Sequence, residues 1–296
     1  MTIAEPLRIL AKDYNLSTGV SPWRSTLVSG PNSTCIPRMR QLFSDIYKYH
    51  ELIWALALKE LRVRYKRSML GFFWALLNPL FTMLILTAVF SKVMRVAVDH
   101  YSIFLISALL PWTFFSQAAW YSAESIVANG ELLKKVQVAK VVFPVAAVIS
   151  NLINFLLSLI PLVLLVVVLR FPLHWTWIYL PVPLIGLFLF TLGFGLFVAA
   201  ANVFFRDVAH ILQIVLSAWF YLCPIIYSLD FLPPHWRMFF KLNPMLYVLN
   251  GFRLSIYYGK LPSAQSVAAS VLCGVVALVV GYTFFRRSQD AFVFYV

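Results

Sequence analysis

The sequence predicts an all-α integral membrane protein with six transmembrane helices, an N-terminal amphipathic helix at the membrane interface and a re-entrant hairpin between spans five and six. Of its 296 residues, 61% are hydrophobic and only 12% are charged, whereas soluble domains carry about 25% charged residues. Six uncharged windows are long enough to cross a bilayer, because about 20 apolar residues suffice for one crossing. Strand-like alternation is not sustained along the sequence, which argues against a transmembrane barrel.

Residues 1–40 are rich in polar residues and in prolines that interrupt any helical periodicity. They lack the apolar core of a cleavable signal peptide. We expect this segment to form a mobile cytoplasmic tail.

Residues 41–67 predict an amphipathic helix. An apolar stripe at mainly three- and four-residue steps contains Tyr47, Trp54, Leu58, Leu61 and Tyr65. The carboxyl-terminal part of the segment carries the cations Lys59, Arg62, Arg64, Lys66 and Arg67. A basic face beside a Trp/Tyr/Leu face is typical of a helix that lies in the membrane interface. The alternative is a cytosolic helix that packs on its own domain.

Residues 68–296 form the predicted transmembrane domain. Its spans are predicted at about 70–93, 101–123, 141–169, 177–201, 210–228 and 265–285. Of the 24 Lys and Arg residues, 17 fall in segments predicted to be cytoplasmic and 7 in segments predicted to be external. Because cations favour the cytoplasmic side of a span, both termini are expected in the cytoplasm. Topology and anionic headgroups account for the net charge of +13, so no nucleic acid partner is expected.

The inner connection at 124–140 is polar and basic, with a turn signal at Asn129–Gly130. Short runs on either side of the turn favour helical structure. The residues alone do not distinguish a functional helical segment from an ordinary basic loop that obeys the positive-inside rule.

The outer connection at 230–260 is too polar to span the membrane and too apolar to be a free loop. Pro233, Pro234 and Trp236 begin one short apolar piece, and Asn243 and Pro244 separate it from a second. Two such pieces predict a re-entrant hairpin in the outer leaflet. The alternative is a loop that lies on the membrane surface.

A very short inner connection between spans four and five carries Arg206 and Asp207. The two residues are adjacent, so they need not pair with each other. We expect them to bind helix ends or partners on neighbouring segments.

Three runs of sequence resemble the permease subunits of type-2 ABC exporters, in the branch that moves lipid-linked polysaccharides. The runs are ELRVRYKRSMLGFFWALLNPL, FFRDVAHILQIVLSAWFYLCPIIY and LNPMLYVLNGFRLSIYYG. The resemblance implies a permease that carries O antigen from the cytoplasm across the bacterial inner membrane. Capsular polysaccharide and teichoic acid are the alternatives within the branch, and the third run corresponds to its outer gate.

The resemblance also implies partners. These are a second copy of the chain, two ATP-binding cassette subunits, the lipid-linked polysaccharide and membrane lipids. The sequence lacks a GxxxxGK[ST] phosphate loop. We therefore expect a non-catalytic chain without a cofactor or metal site, with ATP and Mg bound by the partner ATPase.

In the resembling family, a short coupling helix between spans two and three sits in a groove of the ATPase. The matching residues are Asn129, Leu132, Leu133, Lys134 and Lys135. We expect this segment to transmit the stroke of the ATPase.

Aromatic residues make up 17% of the chain. Those within spans two and five that could line a glycan path are Trp112, Phe114, Phe115, Trp120, Tyr121, Trp219 and Tyr221. Sugar rings stack on aromatic faces, which suits the passage of a long and repetitive glycan. The alternative for any single ring is packing or contact with lipid.

A membrane-bound transferase of lipid-linked sugars is the alternative from another class of function. Such an enzyme should cluster carboxylates or a His/Asp pair at one face of the membrane. The acidic candidates Glu124, Glu131 and Asp207 are isolated in sequence, which favours the permease.

Overall fold

The structure is a computed structural model. It describes residues 35–66, 73–93, 98–135, 138–228, 233, 235, 240 and 242–295. Most of the predicted tail 1–40 lies outside the described residues, as do Arg67, Pro234 and Trp236. The chain divides into two units, Met1–Arg38 and Met39–Val296, and the contacts below belong to the second.

The described part of the chain is helical, with no strand in it. The helices are α1 Cys35–Lys48, α2 His50–Tyr65, α3 Phe73–Thr87, α4 Tyr101–Ala128, α5 Gly130–Lys135, α6 Val142–Val168, α7 Pro181–Phe204, α8 Val208–Tyr221, α9 Pro244–Ile256, α10 Ala264–Ser288 and α11 Phe292–Tyr295. A π-helical segment, Ala88–Val93, extends α3, and 3₁₀ turns precede α7 and α11. The predicted all-α class is confirmed.

Four helical segments are long and apolar enough to cross a membrane. They are Tyr101–Ala128, Val142–Val168, Trp175–Phe204 and Ala264–Ala291. Two further apolar helices are shorter, Leu77–Phe90 and Val208–Tyr221. At 1.5 Å per residue, a 14-residue helix such as α8 is about 21 Å long, which is less than the ~30 Å hydrocarbon core.

Helix α4 is the centre of the bundle. It packs against α3, α6, α7, α8 and α9, and 19 of its 28 residues are buried. It also continues to Ala128, past the predicted end of the span at residue 123, so the first part of the inner connection is helical.

The predicted N-terminal helix is two helices, α1 and α2, that meet at Tyr49. Helix α2 packs against α6 through a buried face of Ile53, Leu56, Ala57 and Leu61. These positions differ by three, one and four residues and share one side of a helix. The predicted apolar stripe shares only Leu61 with this face, and Trp54 of the stripe is 54% exposed.

Glycines allow α7 and α10 to pack at very short distance. A Cβ atom at Gly281 would lie 1.9 Å from the carbonyl oxygen of Gly193, and one at Gly193 would lie 2.3 Å from the backbone of Ala277. No side chain fits at either position, so the two backbones are in direct contact. Such close approach through small residues is a recurrent way to join membrane helices.

The end of the bundle at which α4 begins is held by Arg253 of α9, which is 5% exposed. Its Nη1 donates to the carbonyl oxygen of Pro224 at 2.6 Å, and its Nη2 donates to that of Ile225 at 2.8 Å. The guanidinium also lies 3.8 Å over the ring of Phe104. Tyr101 donates to the carbonyl oxygen of Ile226 at 2.7 Å. The segment after α8 is thereby fixed to α4 and α9.

Candidate substrate cavity

A cavity of about 690 Å³ lies between α3, α4, α6 and α8, with one side chain contributed by α2. Its described lining combines side-chain amides, hydroxyls and aromatic rings. The lining residues are Arg64, Trp74, Asn78, Pro79, Leu110, Thr113, Phe114, Ser116, Gln117, Trp120, Tyr121, Asn151, Asn154, Phe155, Ser158, Gln213, Leu216 and Ser217. Among these, Arg64 is the only charged residue, and no acid is present.

Helix α4 supplies one long wall of the cavity. Its lining residues recur at three- and four-residue steps from Leu110 to Tyr121, so they share one face of the helix. Eleven residues at 1.5 Å per residue correspond to about 16 Å. The cavity therefore follows roughly half of the ~30 Å hydrocarbon core.

The hydroxyl groups of the lining are oriented by the helices that carry them. Thr113 donates to the carbonyl oxygen of Leu109 at 2.7 Å, Ser158 to that of Phe155 at 2.7 Å, and Ser217 to that of Gln213 at 2.8 Å. Because these protons are used, the oxygen atoms remain as acceptors. Amides such as Gln117 and Gln213 can both donate and accept, so the wall suits a ligand rich in hydroxyl groups.

Arg64 of α2 has a defined position at this cavity. Its guanidinium carbon lies 3.9 Å from the centre of the Tyr121 ring, in a cation–π arrangement. Its Nη1 donates to Asn151 Oδ1 at 3.1 Å. Asn151 is itself oriented because its Nδ2 donates to the carbonyl oxygen of Ala147 at 2.8 Å. Side chains from α4 and α6 thus position a cation from α2.

The candidate path aromatics separate according to the face of α4 on which they lie. Phe114, Trp120 and Tyr121 line the cavity. The rings of Trp120 and Tyr121 are perpendicular, with centroids 4.8 Å apart. The cavity also contains Trp74 and Phe155, which the sequence did not single out.

The remaining candidates in α4 and α8 lie elsewhere. Trp112 and Phe115 are buried on the opposite face of α4, and they pack with Trp219 at centroid distances of 6.1 Å and 5.3 Å. Phe190 and Phe194 of α7 complete this aromatic cluster. Tyr221 is 66% exposed and does not line the cavity. Helical spacing could have shown that these residues lie on two faces of α4. It could not have shown which other helices each face contacts.

At the outer segment, Asn243 links three elements. Its Oδ1 accepts hydrogen bonds from the backbone N–H of Met245 and from Trp219 Nε1, both at 3.1 Å. It therefore caps α9, with Pro244 as the first helical residue. Its Nδ2 donates to the carbonyl oxygen of Leu222 at 3.3 Å. Pro233 is exposed, and Pro234 and Trp236 lie outside the described residues.

At the inner connection, Asn129 ends α4 and begins the short helix α5. Its Nδ2 donates to the carbonyl oxygen of Ser125 at 2.8 Å, and its Oδ1 accepts from Lys59 of α2 at 3.4 Å. Leu133 is 9% exposed and belongs to the core of the chain itself, with Leu132 packed against that core. Lys134 and Lys135 are exposed. The apolar residues of α5 therefore contact the chain's own core, and its cations face outward.

Arg206 and Asp207 were expected to bind helix ends or partners on neighbouring segments; the structure shows no cap by Asp207 at the start of α8, and the second possibility stays a prediction. Both residues are exposed. The buried Asn202 closes this turn instead. Its Oδ1 accepts from the backbone N–H of Ala209 at 3.0 Å, and its Nδ2 donates to the carbonyl oxygen of Ala123 at 2.9 Å. A short amide fits inside the turn, whereas both charges remain in solvent.

Comparisons with known proteins agree with the runs of similar sequence. Residues 51–257 match the family described as ABC-2 type transporter. The chain is 34% identical to the O-antigen export system permease protein RfbA of Myxococcus xanthus, over 86% of this chain and 98% of that protein. It is 30% identical to the Klebsiella pneumoniae protein of the same name, over 82% and 93%. It is 24% identical to the polysialic acid transport protein KpsM of Escherichia coli, over 80% and 93%.

Proposed function

Because the chain belongs to the ABC-2 type transporter membrane family, we propose that it is the permease subunit of an ATP-driven exporter of a lipid-linked polysaccharide. We infer O antigen as the glycan, transported from the cytoplasm across the bacterial inner membrane. The observation that carries this proposal is the similarity, at 30–34% identity over most of the chain, to proteins named as O-antigen export permeases. The chain is a permease, and the catalytic ATPase is proposed to be a separate subunit.

The chemistry of the cavity supports a glycan as the transported group. A sugar presents hydroxyl groups at its edges and C–H groups on its faces. The lining offers amides and hydroxyl oxygens for the first, and rings such as Trp120, Tyr121 and Phe155 for the second. The described lining contains no carboxylate, so it suits neutral and anionic glycans better than cations.

The proposed architecture has six crossings, with α3 and α8 as the first and fifth. Both are apolar but short, and short spans are accommodated by thinning of the bilayer or by oligomerisation. A second copy of the chain would complete the path, and two ATP-binding cassette subunits would bind ATP and Mg beneath it. Exposed apolar side chains on α8, such as Ile211 and Ile214, are consistent with a helix that packs against a partner or lipid.

Helix α2 is proposed to lie in the membrane interface on the cytoplasmic side. Lys59, Arg62 and Lys66 are exposed, on the side of α2 opposite its buried face, where they can reach anionic headgroups. Arg64 points the other way, into the cavity. The helix thus combines lipid contact with a position at the inner mouth of the proposed path.

We expect both termini in the cytoplasm and the segment 230–260 outside. Single cysteines placed at the exposed positions Lys260 and Arg287 test this, in a chain whose three native cysteines are replaced by alanine. A membrane-impermeant thiol reagent added to intact cells should label Lys260→Cys and leave Arg287→Cys unlabelled until the membrane is opened. Labelling of Arg287→Cys in intact cells would contradict the topology.

Deletion of the gene tests the proposed function. Loss of the chain should remove the polysaccharide from the cell surface while finished lipid-linked glycan accumulates on the cytoplasmic side. A transferase would instead leave the glycan unassembled, so the accumulated intermediate separates the two classes. Purified chain should not hydrolyse ATP. Turnover of ATP by the isolated chain, free of contaminating ATPase, would exclude the proposed division of labour.

A capsular glycan is the second candidate substrate. It is favoured by the similarity to a protein named for polysialic acid transport, although the identity is lower, at 24%. Chemical analysis of the glycan that accumulates in the deletion strain decides between the two.

A further inference from the structure

We propose that Arg64 is an anion-binding residue that takes the phosphate of the lipid anchor to which the transported glycan is attached. This inference rests on the proposed function and names a ligand group for one residue of the cavity. A polyprenyl diphosphate is the ligand used below to test binding of such a phosphate.

The guanidinium of Arg64 has one nitrogen with a hydrogen-bond partner and two buried nitrogens without one. Arg64 Nη1 donates to Asn151, whereas Nε and Nη2 are buried and have no hydrogen-bond partner. Nε and Nη2 lie on the same edge of the planar guanidinium, which is the edge that grips two oxygen atoms of a phosphate or carboxylate at once. The bond from Nη1 to Asn151 holds the guanidinium in place, and the edge that carries Nε and Nη2 has no partner in the protein.

Within the described structure, no carboxylate accepts a hydrogen bond from Arg64. Glu60 is one helical turn before Arg64, at the spacing at which opposite charges commonly pair. Burial raises the pKa of the Glu60 carboxyl, whereas the nearby charge of Arg64 acts in the opposite direction. The lining around Arg64 supplies amides and rings, with no acid among the described residues.

Two side chains determine where the Arg64 guanidinium lies. The Tyr121 ring and the Asn151 amide place the guanidinium at the wall of the cavity, at 3.9 Å and 3.1 Å. Buried charged donors without acceptors are costly, and a phosphate that enters from the cavity supplies two acceptors. A rotation of the flexible arginine stem is enough to turn the free edge toward the cavity that Arg64 lines.

The position along the membrane agrees with an anchor phosphate. Arg64 is near the end of α2, which precedes the first span, and its partners Tyr121 and Asn151 lie in the halves of α4 and α6 nearest the inner connection. A lipid-linked glycan presents its phosphate at the level of the headgroups, with sugars to one side. Arg64 therefore marks the inner mouth, and the hydroxyl-binding wall extends outward from it.

The test is binding of polyprenyl diphosphate to the full chain in nanodiscs of neutral phosphatidylcholine, together with its partner ATPase. Arg64→Gln should weaken binding by roughly tenfold to a hundredfold, the range expected for loss of charge-assisted hydrogen bonds. Arg64→Lys should recover part of the affinity. Arg206→Gln, at an exposed cation between α7 and α8, is the control and should bind as the unmodified chain does.

Competitors identify the source of the phosphate. Inorganic diphosphate should compete weakly, the unphosphorylated polyprenol should not compete, and phosphatidylglycerol should compete far less than polyprenyl diphosphate. Equal competition by phosphatidylglycerol would mean a bulk headgroup site and would overturn the assignment, as would unchanged binding by Arg64→Gln. If Arg64→Gln binds normally while the unmodified chain exports glycan, the proposed function stands and this inference fails. If the unmodified chain neither binds the probe nor exports glycan, the proposed function itself fails.

Discussion

Replacement of Ser116 and Ser217 together by tryptophan should abolish polysaccharide export, with a loss of at least roughly tenfold, while the protein still inserts and binds its ATPase. The two serines line the cavity from different helices, α4 and α8. Neither side chain holds a second element in place, because each hydroxyl donates to a carbonyl of its own helix. Two indoles narrow the space available to a glycan, and the width of a path limits what passes through it.

The matched control for the cavity variant places the same bulk outside the cavity. Val163 and Val167 of α6 are 42% and 60% exposed, so the double replacement by tryptophan should leave export unchanged. Export is measured as surface polysaccharide, and assembly is measured as ATPase recovered with the tagged permease. Normal export by the Ser116/Ser217 variant would show that the glycan travels elsewhere.

Replacement of both Lys134 and Lys135 by glutamate should stop export by a different route, through loss of the ATPase. Both lysines are exposed on α5, which lies in the inner connection between α4 and α6. Reversal of charge at a partly desolvated contact costs on the order of a few kcal/mol, which corresponds to more than a tenfold loss of affinity. Less ATPase should therefore be recovered with the permease, in contrast to the cavity variant.

The structure makes this test cleaner than a change at the neighbouring leucines. Leu133 is packed in the core of the chain, so a charge there would damage the fold itself. The neutral replacement Lys134→Gln with Lys135→Gln should give an intermediate loss. Lys260→Glu, on the segment proposed to be external, is the control for added negative charge. Normal recovery of the ATPase with the double glutamate variant would move the coupling contact to another surface.

The class of fold could be predicted from the sequence because long uncharged windows have few alternatives in a bilayer. The three- and four-residue spacing of Leu110, Phe114, Gln117 and Tyr121 also indicates that they share one face of α4, and this face lines the cavity. Pairings between distant elements were not accessible in this way. The contact of Arg64 with Tyr121 and Asn151 depends on the angle at which α2 meets α4 and α6, and one sequence does not encode that angle in any local pattern.

The difference between local patterns and tertiary contacts also explains why some candidate residues lie in surroundings other than those expected. Arg64 is one of the five cations between Lys59 and Arg67, and the amphipathic pattern alone assigned all five to the membrane interface. Trp112 and Phe114 are two residues apart in a helix, so one faces the aromatic cluster and the other the cavity. Asn202 was not singled out because a buried amide that fixes a turn looks like any other polar residue at the end of a span.

We propose that the glycan passes through the cavity between α3, α4, α6 and α8. A photo-crosslinking residue at Gln117, which lines the cavity, tests it during active export, with Val163 on the outer surface of α6 as the reference position. The account predicts crosslinks from position 117 to polysaccharide that depend on ATP hydrolysis by the partner, and crosslinks from position 163 to lipid or protein only. Continued export without any crosslink between position 117 and the glycan would contradict it.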